Sequence, residues 1–221
     1  MMLAASARRQ ARAQAKQEQM LDAAQRLFLE QGYAAASTDA IAAAAGVSKQ
    51  TLYAYFPSKD DLLIAVLRRL VAPEDLDDMA LFGLGRAPVD RDELRRDLIA
   101  VSETTIARMM QPEYLALLRV IISEAPRQPR LAELFRATVP ERGLRAITGL
   151  LARAVESGAA AAIDLDAAAR LFVGALLSYA LLDGLLVVDG PPRPPAPERL
   201  AAIVDTVLPA LTSPNPGSYA K

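Results

Sequence analysis

The chain has 221 residues, 52% of them hydrophobic but only 5% aromatic, and contains neither cysteine nor histidine. That length suits one large domain, or one small and one medium domain. Without cysteine there is no disulfide framework or thiol chemistry, and without histidine the commonest metal ligand and the usual neutral-pH general base are gone. The formal net charge of −1 hides an asymmetry, because residues 1–59 sum to +3 and the remainder to −4. A basic head on an acidic body fits a polyanion partner for the head alone, and fits a solvated charged tail equally well.

The apolar mass is mostly Ala and Leu, both strong helix formers, and no segment alternates in the manner of a strand. The expected fold is all-α. At the N-terminus, Arg8, Arg9, Arg12 and Lys16 are followed by no apolar run, so a signal peptide is not expected and a reducing, cytoplasmic setting is. The first helix is expected from Ala7 to Gln31, with Met20, Leu21, Ala24, Leu27 and Phe28 forming one apolar stripe and Gly32 in the place of a left-handed C-terminal cap. Thr38 is placed as the N-cap of a second helix, with Asp39 in the first turn favoured by the helix dipole. That helix should end at Gly46. Ser48 caps a third helix, which must stop by Phe56 because Pro57 follows, and Ser58-Lys59-Asp60-Asp61 reads as a capping-box start for a fourth.

On the third helix, Leu52 and Phe56 share a face and can form a small core with Ile41, Ala45 and Val47. Lys49, Gln50, Thr51, Tyr53 and Ala54 point the other way. An amine, an amide, a hydroxyl and a phenol on one exposed face suit phosphates and base edges. Helix, short glycine-containing turn and helix is the arrangement of a DNA-reading head.

The segment Leu21–Leu67, LDAAQRLFLEQGYAAASTDAIAAAAGVSKQTLYAYFPSKDDLLIAVL, resembles the DNA-binding domain of TetR-family transcriptional regulators through LFxExGY, IAxxAGVSKxTLYxYF and SKxxLL. It covers about a fifth of the chain. Ala36 and Ser37 depart from the family, where Thr-type residues are common. The resemblance implies that Thr38, Ser48, Lys49, Gln50, Thr51, Tyr53, Tyr55 and Lys59 lie at positions that commonly touch DNA. Lys49, Gln50 and Thr51 are then candidates for base edges, and Tyr53, Tyr55 and Lys59 for phosphates, although Tyr55 also fits a place flanking the core. The basic arm, Arg8 to Lys16, can lie on phosphates or in a minor groove or be an idle tail, and both predict mobility without DNA.

Beyond Leu67 the fourth helix is expected to reach Val71, and residues up to Pro88, with Glu74, Asp75, Asp77, Asp78, Gly83 and Gly85, read as a short helix plus loop. Further helices are expected over Asp90–Gln111, from Pro112 to Glu124, Arg130–Thr138, Pro140–Ser157 closing at Gly158, and Asp164–Val188. From Leu171 to Val188 only Asp183 is charged. A membrane span is the tempting reading, but Asp183, Gly174, Ser178 and Gly184 interrupt the run and no Lys/Arg anchors flank it, so no membrane partner is expected. A helix apolar all round is otherwise buried on every side, with Val173, Leu177, Ala180, Gly184 and Val188 as one stripe and Phe172, Leu176, Tyr179 and Asp183 as another, so that one can pack on its own domain while the other meets a second subunit. After the stiff DGPPRPPAP connection, a last helix over Pro197–Leu211 buries Leu200, Ile203, Val204, Val207 and Leu208.

EYLALLRVIISEAPRQPRLAELF and LFVGALLSYALLDGLL are similar to the AefR-like type of TetR-family C-terminal domain. Taken together, the resemblances imply a helix-turn-helix DNA-binding domain over residues 1–67 and a helical effector-binding and dimerisation domain over 68–221. They imply a homodimer through the last two helices, with two recognition helices meeting a palindromic operator about 34–36 Å apart. The expected function is a repressor released from double-stranded DNA when a small-molecule effector binds. Candidate effector contacts are Met109, Met110, Tyr114, Arg119, Phe135, Phe172, Leu176, Tyr179 and Asp183, each of which also fits a plain core position. Asp183 stands out because a buried carboxylate needs a partner. A DNA-independent helical carrier of small molecules is the alternative. With no nucleophile–base pair, no metal-ligand set and no Gly-rich phosphate loop, neither an enzyme nor a cofactor is expected.

Overall fold

The computed structural model describes residues 2–71 and 86–212, and the acidic, glycine-containing stretch expected between Ala72 and Gly85 lies outside them. All regular structure among the described residues is helical: α1 (Met2–Ala35), α2 (Thr38–Ala44), α3 (Lys49–Tyr55), α4 (Lys59–Val71), α5 (Arg91–Met109), α6 (Pro112–Glu124), α7 (Pro129–Thr138), α8 (Pro140–Glu156), α9 (Leu165–Tyr179) and α10 (Pro197–Thr212), with a π-helical turn at Ala180–Leu185. Two compact units form. One joins the residues up to Arg69 with Ala116–Phe135, and the other joins Leu70–Leu115 with Arg136 onward. The sequence reading assigned everything after residue 67 to a second domain, whereas the chain folds Ala116–Phe135 in with the first unit.

In the first unit the helices form where the sequence punctuates them. Gly32 takes φ +77°, which breaks α1 near its end at little steric cost for a residue without Cβ. The backbone of α1 is helical from Met2 rather than from the expected Ala7, because alanine-rich sequence favours helix on both sides of Arg12 and Lys16. The side chains of Arg8 and Arg9 lie outside the described part. Met20, Leu21, Ala24, Leu27 and Phe28 are all buried, each large one contributing ~1.5–3 kcal/mol. α4 is fixed to α1 by Arg69, which donates to Glu18 (2.9 Å), Asp22 (2.7 Å) and Gln25 (2.6 Å). Asp60 and Asp61 in its first turn and Arg68 and Arg69 in its last complement the helix dipole.

In the second unit one core gathers Leu94, Leu98 and Val101 of α5, Ile147, Leu150 and Leu151 of α8, Phe172 and Leu176 of α9, and Leu200, Val204, Val207 and Leu208 of α10. Each set recurs at three- and four-residue spacing, so each helix presents one apolar stripe. Asp90 caps α5 by accepting from Glu93 N at 2.7 Å, and Asp164 caps α9 by accepting from Ala167 N at 3.0 Å. Arg95 of α5 grips Asp205 of α10 through two bonds of 2.5 and 2.8 Å.

The helix expected over Asp164–Val188 is not one α-helix. It changes to a π turn after Tyr179, with Leu186 N donating to Leu181 O at 2.9 Å. The turn seats Gly184 where an added Cβ would lie 2.9 Å from Met110 Sδ and 3.1 and 3.2 Å from the Leu115 methyls. Nor do the expected stripes hold. Phe172, Leu176, Ala180 and Gly184 form the buried row, whereas Leu177 and Val188 are exposed together with Leu171, Leu181, Leu182 and Leu186. The buried row advances four residues at a time into the π turn, which a constant 3.6-residue wheel misplaces. Within the single chain the helix is therefore buried on one side only.

Candidate nucleic-acid interface

The reading head is set by caps at both ends of two seven-residue helices. Ser37, extended at φ −87° and ψ 149°, caps α2 by accepting from Ala40 N at 3.1 Å. This corrects the assignment of the cap to Thr38, which is already helical and whose Oγ1 instead lies 3.2 Å from the Tyr53 hydroxyl. At the other end, Gly46 at φ +65° sends its N–H to Ala43 O (3.1 Å) while Val47 N reaches Ala42 O (3.0 Å). This paired closure satisfies carbonyls the helix leaves free. Ser48 then caps α3, accepting from Thr51 N at 3.1 Å, and its hydroxyl lies 2.8 Å from that of Thr51. Phe56 N closes α3 on Leu52 O at 2.9 Å. Ser58 accepts from Asp61 N at 3.1 Å and donates to the Asp61 carboxylate at 2.5 Å, starting α4.

These caps fix which way α3 faces. Ile41, Leu52 and Phe56 are buried, while Ala45 and Val47 are half-buried at the rim of that small core. Lys49, Gln50, Tyr53 and Ala54 are exposed, as expected. Thr51 is half-buried with its hydroxyl held at Ser48, and Tyr55 is half-buried with its ring centroid 6.5 Å from that of Phe56. Lys49 Nζ donates to Asp39 Oδ2 at 2.9 Å, and this hydrogen bond raises the ammonium's pKa and keeps it charged.

Lys59 has a different setting. Its ammonium donates to Tyr33 O (2.7 Å) and Ala36 O (3.2 Å) and sits 4.1 Å from the centroid of the Tyr33 ring, so it bolts the end of α1 to the start of α4. Burial lowers its pKa, opposed by Asp60 and Glu124. Tyr33 is held in turn by donating to Asp60, and burial followed by that bond raises its pKa. Arg130 of α7 reaches Asp61 at 3.2 Å, one of the contacts that fold Ala116–Phe135 in with the head.

The nine candidate effector residues are not gathered in one unit. Arg119, exposed, and Phe135, half-buried, belong with the head, and the others belong to the second unit. Met110, Phe172 and Leu176 are part of the second unit's core, with Met109 and Tyr179 packed against it. Tyr114 is buried, which pushes its phenol up to about 12. Asp183 is only half-buried, and its backbone carbonyl accepts from Arg193 N at 2.8 Å, which corrects the expectation of a buried carboxylate in need of a partner. Among the described residues no group of three or more Asp or Glu is placed to hold a metal.

Residues 20–66 match the bacterial regulatory proteins of the tetR family, and residues 96–210 match the C-terminal domain of AefR-like transcriptional repressors. The chain belongs to the TetR family. An HTH-type transcriptional regulator of Mycobacterium tuberculosis is 29% identical over 200 residues, covering 89% of this chain and 88% of that one. The regulator BetI of Rhizobium meliloti is 33% identical over 172 residues, covering 78% and 76%. Among solved structures, the flavonoid-responsive regulator FrrA is similar at a TM-score of 0.64 and 29% identity, covering 89% of this chain and 94% of that one. As a TetR-family protein the chain is a DNA-binding transcriptional regulator, not an enzyme.

Sequence reasoning used Asp39 only as a helix-dipole residue and missed its place on the reading face. An acid in the first turn of α2, ten residues before the lysine that opens the next helix, was the available signal.

Proposed function

We propose that this TetR-family protein is a cytoplasmic homodimeric repressor that leaves a palindromic operator when a small effector binds its second unit. The observation that carries the reading is the exposed face of α3, where Lys49, Gln50 and Tyr53 stand clear of a core made by Leu52 and Phe56. Lys49 and Gln50 are the base-reading candidates. Thr38, Ser48, Thr51, Tyr53 and Tyr55 border the same face and position the head on phosphates. Lys59 acts from behind, holding α4 to α1.

Repression is supported by the likeness of residues 96–210 to AefR-like repressors, and response to a small molecule by the likeness to a flavonoid-responsive regulator. The effector lies against the Met109, Met110, Tyr114, Phe172, Leu176, Tyr179 and Asp183 side of the second unit. It acts only through a difference in affinity between the DNA-competent state and the other. A second copy is supported by the bare leucines of α9 and the π turn after it, Leu171, Leu177, Leu181 and Leu182.

Selection of bound sequences from a random duplex library, repeated with a metabolite panel and across salt concentrations, tests the reading. A palindromic site with steep salt dependence is expected, weakened by at least one metabolite. Binding no tighter than to random DNA at physiological salt, with every metabolite tried, would sink it.

A further inference from the structure

Resting on that reading of α3, we propose that Asp39 is a specificity-determining residue, which holds the Lys49 ammonium toward base edges and keeps it from the nearest phosphate. Lys49 is poorly explained by its own helix, and Asp39 by the surface it faces. Lys49 is the first residue of α3, which has no acid in its first turn, so a cation sits at the end where the helix dipole is already positive. Asp39 suits the start of α2, but it places a carboxylate on the surface turned toward a polyanion, where it opposes binding.

As a pair the two make sense. Lys49 Nζ and Asp39 Oδ2 are 2.9 Å apart with side chains 53% and 67% exposed, and such an exposed pair adds little stability. The adjacent residue repeats the arrangement, since Thr38 Oγ1 meets the Tyr53 hydroxyl at 3.2 Å. Lys49 and Tyr53 are one turn apart on α3. Two successive residues of α2 therefore brace two exposed side chains that stand one turn apart on α3. With one of its three N–H donors on Asp39, Lys49 keeps two for the O6 and N7 acceptors of a guanine. A phosphate approaching the same ammonium meets the carboxylate as well, so the brace favours the base edge.

The test uses the full chain and the base-preference profile from random-library selection, together with affinity for the selected operator and for random duplex across salt. Asp39→Asn should flatten the preference at the one position that Lys49 reads by about tenfold. It should also tighten random-duplex binding and steepen the salt slope by about one phosphate, as the freed ammonium turns to the backbone. Asp39→Asn should leave the base preference of a Lys49→Ala background unchanged, any gain there being a uniform rise in affinity from the lost carboxylate, and Asp39→Glu should restore part of the preference. An unchanged profile, whether affinity for operator and random duplex rises by one common factor or stays the same, overturns the proposal. So does an equal effect of Asp39→Asn on the base preference with Lys49 already removed. A wild-type chain with no base preference at all removes the function reading itself, and is seen before any variant is made.

Discussion

Ser37 and Thr38 are both residues that cap helices, and composition alone does not say which one does. The extended backbone at Ser37 and its bond to Ala40 N decide it. Ser37→Ala should lower stability by ~1 kcal/mol, or about 2–4 °C in melting temperature for a chain of this size. Thr38→Val should leave melting within about half a kcal/mol and act only on the Tyr53 hydroxyl it meets. Equal melting losses for the two would return the cap to Thr38. Tyr114 supplies a pH dependence at the same scale. Its phenol is raised from 10.0 to about 12 by burial, so between those values the unfolded chain ionises first and stability falls as pH rises. The loss approaches ~2–3 kcal/mol at the upper end. Denaturant midpoints from pH 9 to 12 should fall less steeply for Tyr114→Phe, though not flatten, because Tyr33 is shifted in the same direction.

Helix boundaries were legible wherever a proline, a glycine or a capping side chain fixes the backbone: α6 begins at Pro112, α8 begins at Pro140, and Gly158 follows α8 at φ +83°. The exposed face of α3 was legible for the same reason, because Ser48 and Pro57 fix its length and Leu52 with Phe56 fixes its rotation. The π turn was not, since no residue type marks a bond from residue i to i+5; what the structure adds is the close fit of Gly184 against Met110 and Leu115. Asp39 was missed because its partner is ten residues away across a turn. Gly184→Ala should cost ~1–3 kcal/mol by overpacking, and less in a Met110→Ala background, where the sulfur 2.9 Å from the new methyl is gone. Equal costs in both backgrounds, read from denaturant unfolding, would show that the close approach is not what excludes a side chain there.

At the scale of the whole molecule, the bare face of α9 is what the single chain leaves unexplained. Leu165–Leu185 is long and apolar enough to cross a membrane by length and composition. Yet Phe172, Leu176, Ala180 and Gly184 on its other side are buried in the protein, so lipid could surround only half of it. The proposed second copy would cover that half. Leu171, Leu181 and Leu182, 46–62% exposed, flank Gly174 and Ser178, small residues that allow two helices to approach closely. Across a two-fold axis each side chain is used twice, so Leu182→Glu sets two buried carboxylates against one another. The variant should keep its helical circular dichroism and its melting transition but sediment as a monomer at micromolar concentration. Its operator affinity should drop ~10²–10⁴-fold, because the two half-sites no longer act together, while random-duplex binding by the isolated head changes far less. A Leu182→Glu chain that still sediments as a dimer would move the interface elsewhere. A wild-type monomer that binds one half-site as tightly as the full palindrome would remove the need for a second copy.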